Sequence, residues 1–197
     1  MARLVTQRLL LRPFVRADAA DFAGLAGEWA VASMTSDIPH PLSELQARTW
    51  LRPGRGEVRF AIELRGQMIG GTGFYRRYSG AAEVGFWLGR PWWGRGYATE
   101  ATSAAMSYGV RNLRVPGFTS SHFVDNPASA SVLRKLGFEP VGRGRIISTA
   151  RGHDVDALTY WLDAKRALER LPDAQAHLAA DTPRWRAWLG RIAGRPV

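Results

Sequence analysis

Glu83-Val84-Gly85-Phe86-Trp87-Leu88-Gly89-Arg90-Pro91-Trp92-Trp93-Gly94-Arg95-Gly96-Tyr97-Ala98-Thr99-Glu100-Ala101 reads as a strand, a short loop, a glycine-rich turn and the start of a helix. Glycine takes φ > 0 without strain and lets a ligand approach the backbone. The first N–H groups of a helix have no acceptor within it, and the helix dipole places positive potential there. Such a turn can hold an anion, phosphate above all. Two common phosphate motifs do not fit. A Walker loop ends in Gly-Lys-Ser/Thr, which is missing. A dinucleotide fingerprint needs a third glycine where Thr99 stands. A glycine pair before a helix also serves plain chain reversal, so the surrounding sequence has to decide.

Working outward, Ala81–Leu88 is the strand and Gly94–Asn112 the helix, whose inner face carries Tyr97, Ala101, Ala104, Ala105 and Tyr108. Upstream, Glu57–Leu64 alternates, with Val58, Phe60, Ile62 and Leu64 on one face. Arg65-Gly66 turns the chain and Gln67–Tyr75 returns as its hairpin partner. Leu4–Arg12 reads as one strand ended by Pro13, Arg16–Glu28 as one helix, and Ser43–Leu51 as a helix with a Ser43/Gln46 capping box. Downstream, Phe118–Val124 is a strand. Asn126–Leu136 is a helix punctuated by Asn126, Pro127 and Gly137. Phe138–Ile147 and Val155–Leu162 form a closing hairpin. Alternating helices and strands of this kind give an α/β fold. Beyond Leu162, Ala164–Leu171 reads as helical, Pro172 as a break and Thr182–Ala193 as a basic helix with Trp185 and Trp188. These segments are too short to bury a core of their own. The division is a domain over residues 1–163 and a helical appendage over 164–197.

Length and composition limit the function classes. One compact domain suits 197 residues, of which 46% are hydrophobic and 22% charged. No stretch approaches the ~20 apolar residues of a spanning helix, and residues 1–8 lack the apolar core of a secretion signal. The absence of cysteine excludes disulfides and thiolate chemistry. Four histidines without helical-turn spacing argue against a metal site. A reducing, cytoplasmic setting is expected. The net charge of +10 comes almost wholly from arginine, the lysines being Lys135 and Lys165. It favours anionic partners, but the arginines are scattered rather than gathered into a groove with interleaved aromatics, which disfavours a dedicated nucleic-acid binder.

The chain resembles the GNAT-type N-acetyltransferase superfamily, and within it the ribosomal-protein N-terminal acetyltransferase-like branch. The resemblance rests on "TQRLLLRPF", "GQMIGGTGFY", "AAEVGFWLGRPWWGRGYATEA" and "DNPASASVLRKLGFEPVG", in that order, and covers about residues 1–163. It implies a single domain with a mixed, mostly antiparallel twisted sheet, flanking helices and two splayed parallel strands at its centre. Acetyl-coenzyme A is the implied cosubstrate, with no metal. Phe86, Trp87 and Leu88 would present backbone groups to the pantetheine arm. Gly94, Arg95, Gly96, Tyr97, Ala98 and Thr99 would cradle the pyrophosphate, and Asn126 would hydrogen-bond the arm. The sequence departs from the broad pattern at Trp93, where a polar residue is usual.

Two residues are candidates for catalysis. Glu83 opens the coenzyme strand and can take the proton of an incoming ammonium, directly or through water. Its other reading is an exposed strand carboxylate. Ser129 sits where the resembled branch has a serine that is a candidate to protonate the leaving thiolate; the tyrosine more usual in the superfamily would fall at Leu133. Glu57 reads as a surface residue and His122 as a strand histidine, while Trp29, Trp50 and Trp92 are candidates to wall an acceptor site. The resulting expectation is acetyl transfer to a primary amine, at a peptide N-terminus or on a small molecule, with ribosome contact and a homodimer as further partners. The competing reading is a non-catalytic acyl-coenzyme A-binding protein with a basic interaction surface.

Overall fold

The computed structural model describes residues 2–52, 54–76 and 80–171. In chain order the elements are β1 (Leu4–Val5), β2 (Leu10–Arg12), α1 (Ala19–Ala26), α2 (Trp29–Ala32), α3 (Glu44–Trp50), β3 (Glu57–Leu64), β4 (Gln67–Arg76), β5 (Ala82–Leu88), α4 (Tyr97–Leu113), β6 (Gly117–Phe123), α5 (Pro127–Leu136), β7 (Glu139–Ser148), β8 (His153–Asp163) and α6 (Ala164–Arg170). The strands form one sheet in the order β1-β2-β3-β4-β5-β6-β8-β7. Every neighbouring pair is antiparallel except β5 and β6.

The expected mixed sheet with a parallel pair at its centre is present. Local signals produced several elements as read. Arg65 at φ 52° and Gly66 at φ 83° make the β3–β4 turn. Ser43 caps α3 through Gln46, and Gln46 returns the bond to the Ser43 N–H at 2.9 Å. Asn126 caps α5, Pro127 opens it, and Gly137 closes it in the left-handed region.

Other readings are corrected. Leu4–Arg12 is not one strand but a hairpin pairing Leu4 with Leu11. Its turn leaves Thr6 and Arg8 bonded to Glu100 on α4. Arg16–Glu28 is not one helix. A 3₁₀ turn over Arg16–Asp18 precedes α1, because the Asp18 carboxylate is held by the Val15 N–H at 2.7 Å and by the Arg12 guanidinium at 2.8 and 2.9 Å. Gly27 ends α1 where a side chain would strike Leu42, and α2 follows. The helix expected from Gly94 begins at Tyr97, since Gly94 and Gly96 both have positive φ and stay outside it.

Both faces of the central strands are covered. Phe60, Ile62, Ile69 and Leu88 pack with Ala101, Ala104 and Ala105 of α4. Ala61, Met68 and Trp87 pack with Ala19, Phe22 and Ala47 of α1 and α3. The alternation seen in β3 marks one of these faces; the other is filled by small or sequence-distant residues. A third cluster joins Phe118, Val84, Met106, Leu133 and Leu162, and Ala167 and Leu171, in and just after α6, belong to it. The remainder of the expected appendage, including the helix over 182–193, lies outside the described residues. No described helix is long and apolar enough to cross a membrane.

Phe118 is fully buried and meets Phe74 edge-on at 6.0 Å. Phe118→Ala is expected to cost about 3–5 kcal/mol of stability. Chemical denaturation checks this: the midpoint falls and the slope stays the same.

Candidate functional site

The centre of the site is a sheet that comes apart. β5 and β6 pair only through Ala82 with Phe118 and Glu83 with Thr119. Beyond them the Ser120 hydroxyl donates to Val84 O at 2.9 Å, and the ladder ends. On its other edge β5 remains paired with β4 over its whole length. Backbone groups alternate in direction along a strand. Val84 O faces β6, whereas the Gly89 N–H bonds Ile69 O on the β4 side. It follows that Phe86 and Leu88 direct their backbone N–H and C=O groups into the gap, while Trp87 directs its own to β4. Leu88 O accepts the Trp93 indole N–H at 2.7 Å. The unusual Trp93 therefore closes the end of the gap.

Next to the gap lies the candidate anion cradle. Gly94 and Gly96 have φ of 74° and 79°, and no side chain caps α4. Glu100 N–H is bonded to Gly96 O, so the N–H groups of Tyr97, Ala98 and Thr99 stand ahead of the helical ladder. A Cβ on Gly94 would meet no atom within 4 Å, so the concavity stands open on that side. Free first-turn N–H groups beside left-handed glycines suit a pyrophosphate. Arg95 is exposed, and its carbonyl accepts from Arg8 Nη1 at 3.0 Å.

That last bond belongs to a cluster the sequence reading did not single out. Arg8 Nε reaches Glu100 Oε2 at 2.7 Å, and its guanidinium lies 4.6 Å from the Tyr97 ring centre. Thr6 Oγ1 and the Arg8 N–H both donate to Glu100 Oε1, at 2.6 and 2.8 Å. Burial opposes the Glu100 charge and is the largest single influence. The hydrogen bonds from Thr6 and Arg8, with the charge of Arg8, together outweigh it and hold the carboxyl below its ordinary value. The only sequence signal was the "TQR" of the opening motif, whose partner lies 92 to 94 residues away.

On the α1/α3 face, a cavity of about 250 Å³ runs from Glu83 to Ser129. Glu57, Tyr75 and Glu83 form one cross-strand row on β3, β4 and β5, and the Tyr75 hydroxyl donates to Glu83 Oε2 at 2.6 Å. Glu57, expected at the surface, lines this cavity, as do Trp50 and Phe14. Trp29 and Trp92 are not among its walls, because Trp29 is half exposed against His40 and Trp92 lies over Gly89. The Arg59 guanidinium lies over Trp50 at 4.5 Å and donates to Trp50 O at 2.7 Å, fixing that wall. Trp87 is 7% exposed and meets Phe22 edge-on at 5.2 Å; its indole N–H has no partner among the described residues.

At the other end, Ser129 is half-buried and its N–H bonds Asn126 Oδ1 at 3.0 Å. Asn126 is 7% exposed, and its amide donates to Met34 O at 3.5 Å. Both polar ends of Asn126 thus have partners within the chain. His122 is buried against the same cavity, 3.1 Å from the Tyr160 hydroxyl and 2.7 Å from Phe123 O. A carbonyl accepts only, so Nδ1 donates to Phe123 O. A parted parallel pair, a glycine turn at the end of one strand and a cavity beside the gap thus lie together on one α/β sheet.

Comparison with known proteins gives the family. The model described as "Acetyltransferase (GNAT) domain" matches residues 8–139. The uncharacterized N-acetyltransferase YoaA of Bacillus subtilis (strain 168) is 30% identical over 167 residues, covering 80% of this chain and 94% of that protein. The L-amino acid N-acetyltransferase AaaT of Escherichia coli (strain K12) is 30% identical over 128 residues, 62% of this chain and 78% of the other. Among solved structures, RimL, a ribosomal L7/L12 α-N-protein acetyltransferase in complex with coenzyme A, matches with a TM-score of 0.74 at 20% identity. That match covers 83% of this chain and 99% of that one. The chain belongs to the acetyltransferase (GNAT) family, and it is an N-acetyltransferase whose donor is acetyl-coenzyme A.

Two outcomes test the cradle. Gly96→Val puts a branched side chain at a left-handed position, next to Arg8 Nη2 at 3.5 Å from an added Cβ. Calorimetry should find acetyl-coenzyme A binding lost in a variant whose circular dichroism is native. Glu100→Gln should make the protein less stable at neutral pH. The wild-type advantage is full above the unfolded carboxyl value of 4.5 and disappears as pH falls through the lower folded value. Denaturant midpoints measured from neutral to acid pH should converge.

Proposed function

We propose that the enzyme transfers the acetyl group of acetyl-coenzyme A to a primary α-amine, at a peptide N-terminus or on a small amino compound. The observation that carries this reading is the early parting of β5 from β6, which leaves one cavity reaching both Glu83 and Ser129. In this reading the backbone of Phe86 and Leu88 holds the pantetheine arm along the gap. Gly94, Arg95, Gly96, Tyr97, Ala98 and Thr99 hold the pyrophosphate. Trp87 contributes a wall rather than a backbone contact. Asn126 sets the first turn of α5 and so the place of Ser129. The catalytic domain is residues 1–163.

An ammonium cannot attack a thioester. Glu83, steadied by the Tyr75 hydroxyl, takes the proton, directly or through a water. The neutral amine adds to the thioester carbonyl, whose developing oxyanion meets the Leu88 N–H. One such donor is typically worth ~2.7–4 kcal/mol. On collapse the carbon–sulfur bond breaks and the Ser129 hydroxyl delivers a proton to the thiolate, while the proton still carried by the attacking nitrogen passes through water to restore that hydroxyl. Juxtaposing the two reactants supplies more, ~7–11 kcal/mol. Loss of either side chain therefore cripples the enzyme without abolishing turnover.

The names of two relatives support an α-amine in different settings: amino acids for AaaT, and the N-terminus of a ribosomal protein for RimL. Incubation with a panel of amino acids, peptides and polyamines, read by mass spectrometry, tests the reading. Transfer to polyamines with none to any α-amine would overturn it.

Glu83→Gln and Ser129→Ala should leave acetyl-coenzyme A affinity nearly unchanged and lower the single-turnover rate by ~10²–10⁴-fold each. Raising pH should partly restore Glu83→Gln, because more of the acceptor is then already neutral. Wild-type rates in both variants would remove these roles.

A further inference from the structure

The floor of the cavity is glycine, and one of those glycines has no structural reason to be glycine. Residues on one strand alternate between faces, so Glu83, Gly85 and Trp87 share the cavity face of β5. Across the ladder Gly85 is level with Gly73 of β4, and Trp87 with Gly71. Gly71 and Gly73 are explained by their neighbours. A Cβ on Gly71 would come within 2.7 Å of Trp87 Nε1 and 2.9 Å of Phe14 Cζ, and one on Gly73 within 2.9 Å of Arg59 Cα. Gly85 differs. Its φ lies outside the left-handed region, and an added Cβ meets no atom within 4 Å. It lies in the middle of a central strand, where glycine weakens a sheet. It is nonetheless exposed, although the residues flanking it in sequence are buried or half-buried. The space a side chain would occupy there is the cavity itself.

We propose that Gly85 is the specificity-determining position for the acceptor. Its missing side chain makes room for the substituent on the carbon that bears the amine, which makes α-amino acyl compounds the acceptor class. This rests on the reading that Glu83 receives the amine proton. The amine then lies beside Glu83, and the atoms attached to it lie over Gly85. Beyond them the wall is apolar, made by Trp87, Phe14 and Trp50. A straight-chain alkylamine needs no such width at its first carbon. An α-branched amine does, and the volume of about 250 Å³ suits one residue-sized group.

The test compares Gly85→Ala and Gly85→Val with wild type, and with Gly144→Ala on the exposed strand β7, where an added Cβ is equally free. The acceptors are amino-acid amides, tripeptides and straight-chain alkylamines, with acetyl-coenzyme A affinity and thermal midpoint measured alongside. For whichever α-amino acceptor the wild type uses, Gly85→Ala should lower kcat/KM by ~10-fold or more, chiefly through KM. Gly85→Val should lower it further. Straight-chain amines should be little affected, coenzyme affinity should stay the same, and the thermal midpoint should hold or rise. Gly144→Ala should behave as wild type. Amides against tripeptides separates free amino acids from peptide N-termini as the source. Equal losses for branched and straight amines, or no loss, would overturn the assignment of Gly85 while leaving acetyl transfer intact. A wild type that acetylates neither acceptor series would remove the proposed primary α-amine acceptor and this assignment together.

Discussion

Two neighbouring strands that each keep the outer partner but not one another set the plan of this molecule. β5 is committed to β4 along its length, and β6 to β8 from Gly117 to Phe123. They share only the Ala82–Phe118 and Glu83–Thr119 pairs before diverging. A buried backbone group without a partner costs about 1–3 kcal/mol. The sheet therefore leaves Phe86 and Leu88 facing a gap that water or a substrate amide can fill. The amide-bearing arm of coenzyme A is suited to that place, and the acetyl group it carries would then arrive beside the cavity that Glu83 and Ser129 line.

Parting the sheet weakens the join between its halves, and the fold ties them elsewhere. Arg151, in the β7–β8 turn, donates to Ser33 O at 2.7 Å and to Asp125 Oδ2 at 2.7 Å, and its guanidinium lies 5.0 Å from the Phe123 ring centre. The neighbouring Thr149 N–H and hydroxyl both bond Ser36 O. These contacts draw the hairpin of one half over the segment after α2 in the other, and residues 34–38 of that segment roof the cavity. At the opposite end, Thr6 and Arg8 grip Glu100 and so fix where α4 begins. The cradle and the cavity are thus each positioned by side chains that do not touch the reacting atoms.

Much of the site was legible in the sequence because its signals are local. The glycine turn before α4, the Asn126-Pro127 start of α5, the Arg65-Gly66 turn and the Ser43/Gln46 box each lie within a few residues of what they shape. The resemblance in four ordered motifs added the splayed pair, which no periodicity could have shown. The misreadings share one cause. The Leu4–Arg12 hairpin, the break at Asp18 and the helix start at Tyr97 depend on partners or backbone angles invisible to a hydrophobic pattern. Glu57 and Trp50 entered the cavity, and Trp29 and Trp92 stayed out, because cross-strand register and helix packing rather than residue type decide who faces whom.

By itself, then, the sequence determined the order of the elements from α3 to β8, the glycine turn before α4 and the family. All of these are written in short-range pattern and motif. The tertiary structure decided which backbone groups of β5 face the gap, which carboxylates line the cavity, and that Gly85 is empty where Gly71 and Gly73 are filled. Those facts depend on register between strands far apart in the chain. A one-residue change in register would turn each of these side chains to the opposite face.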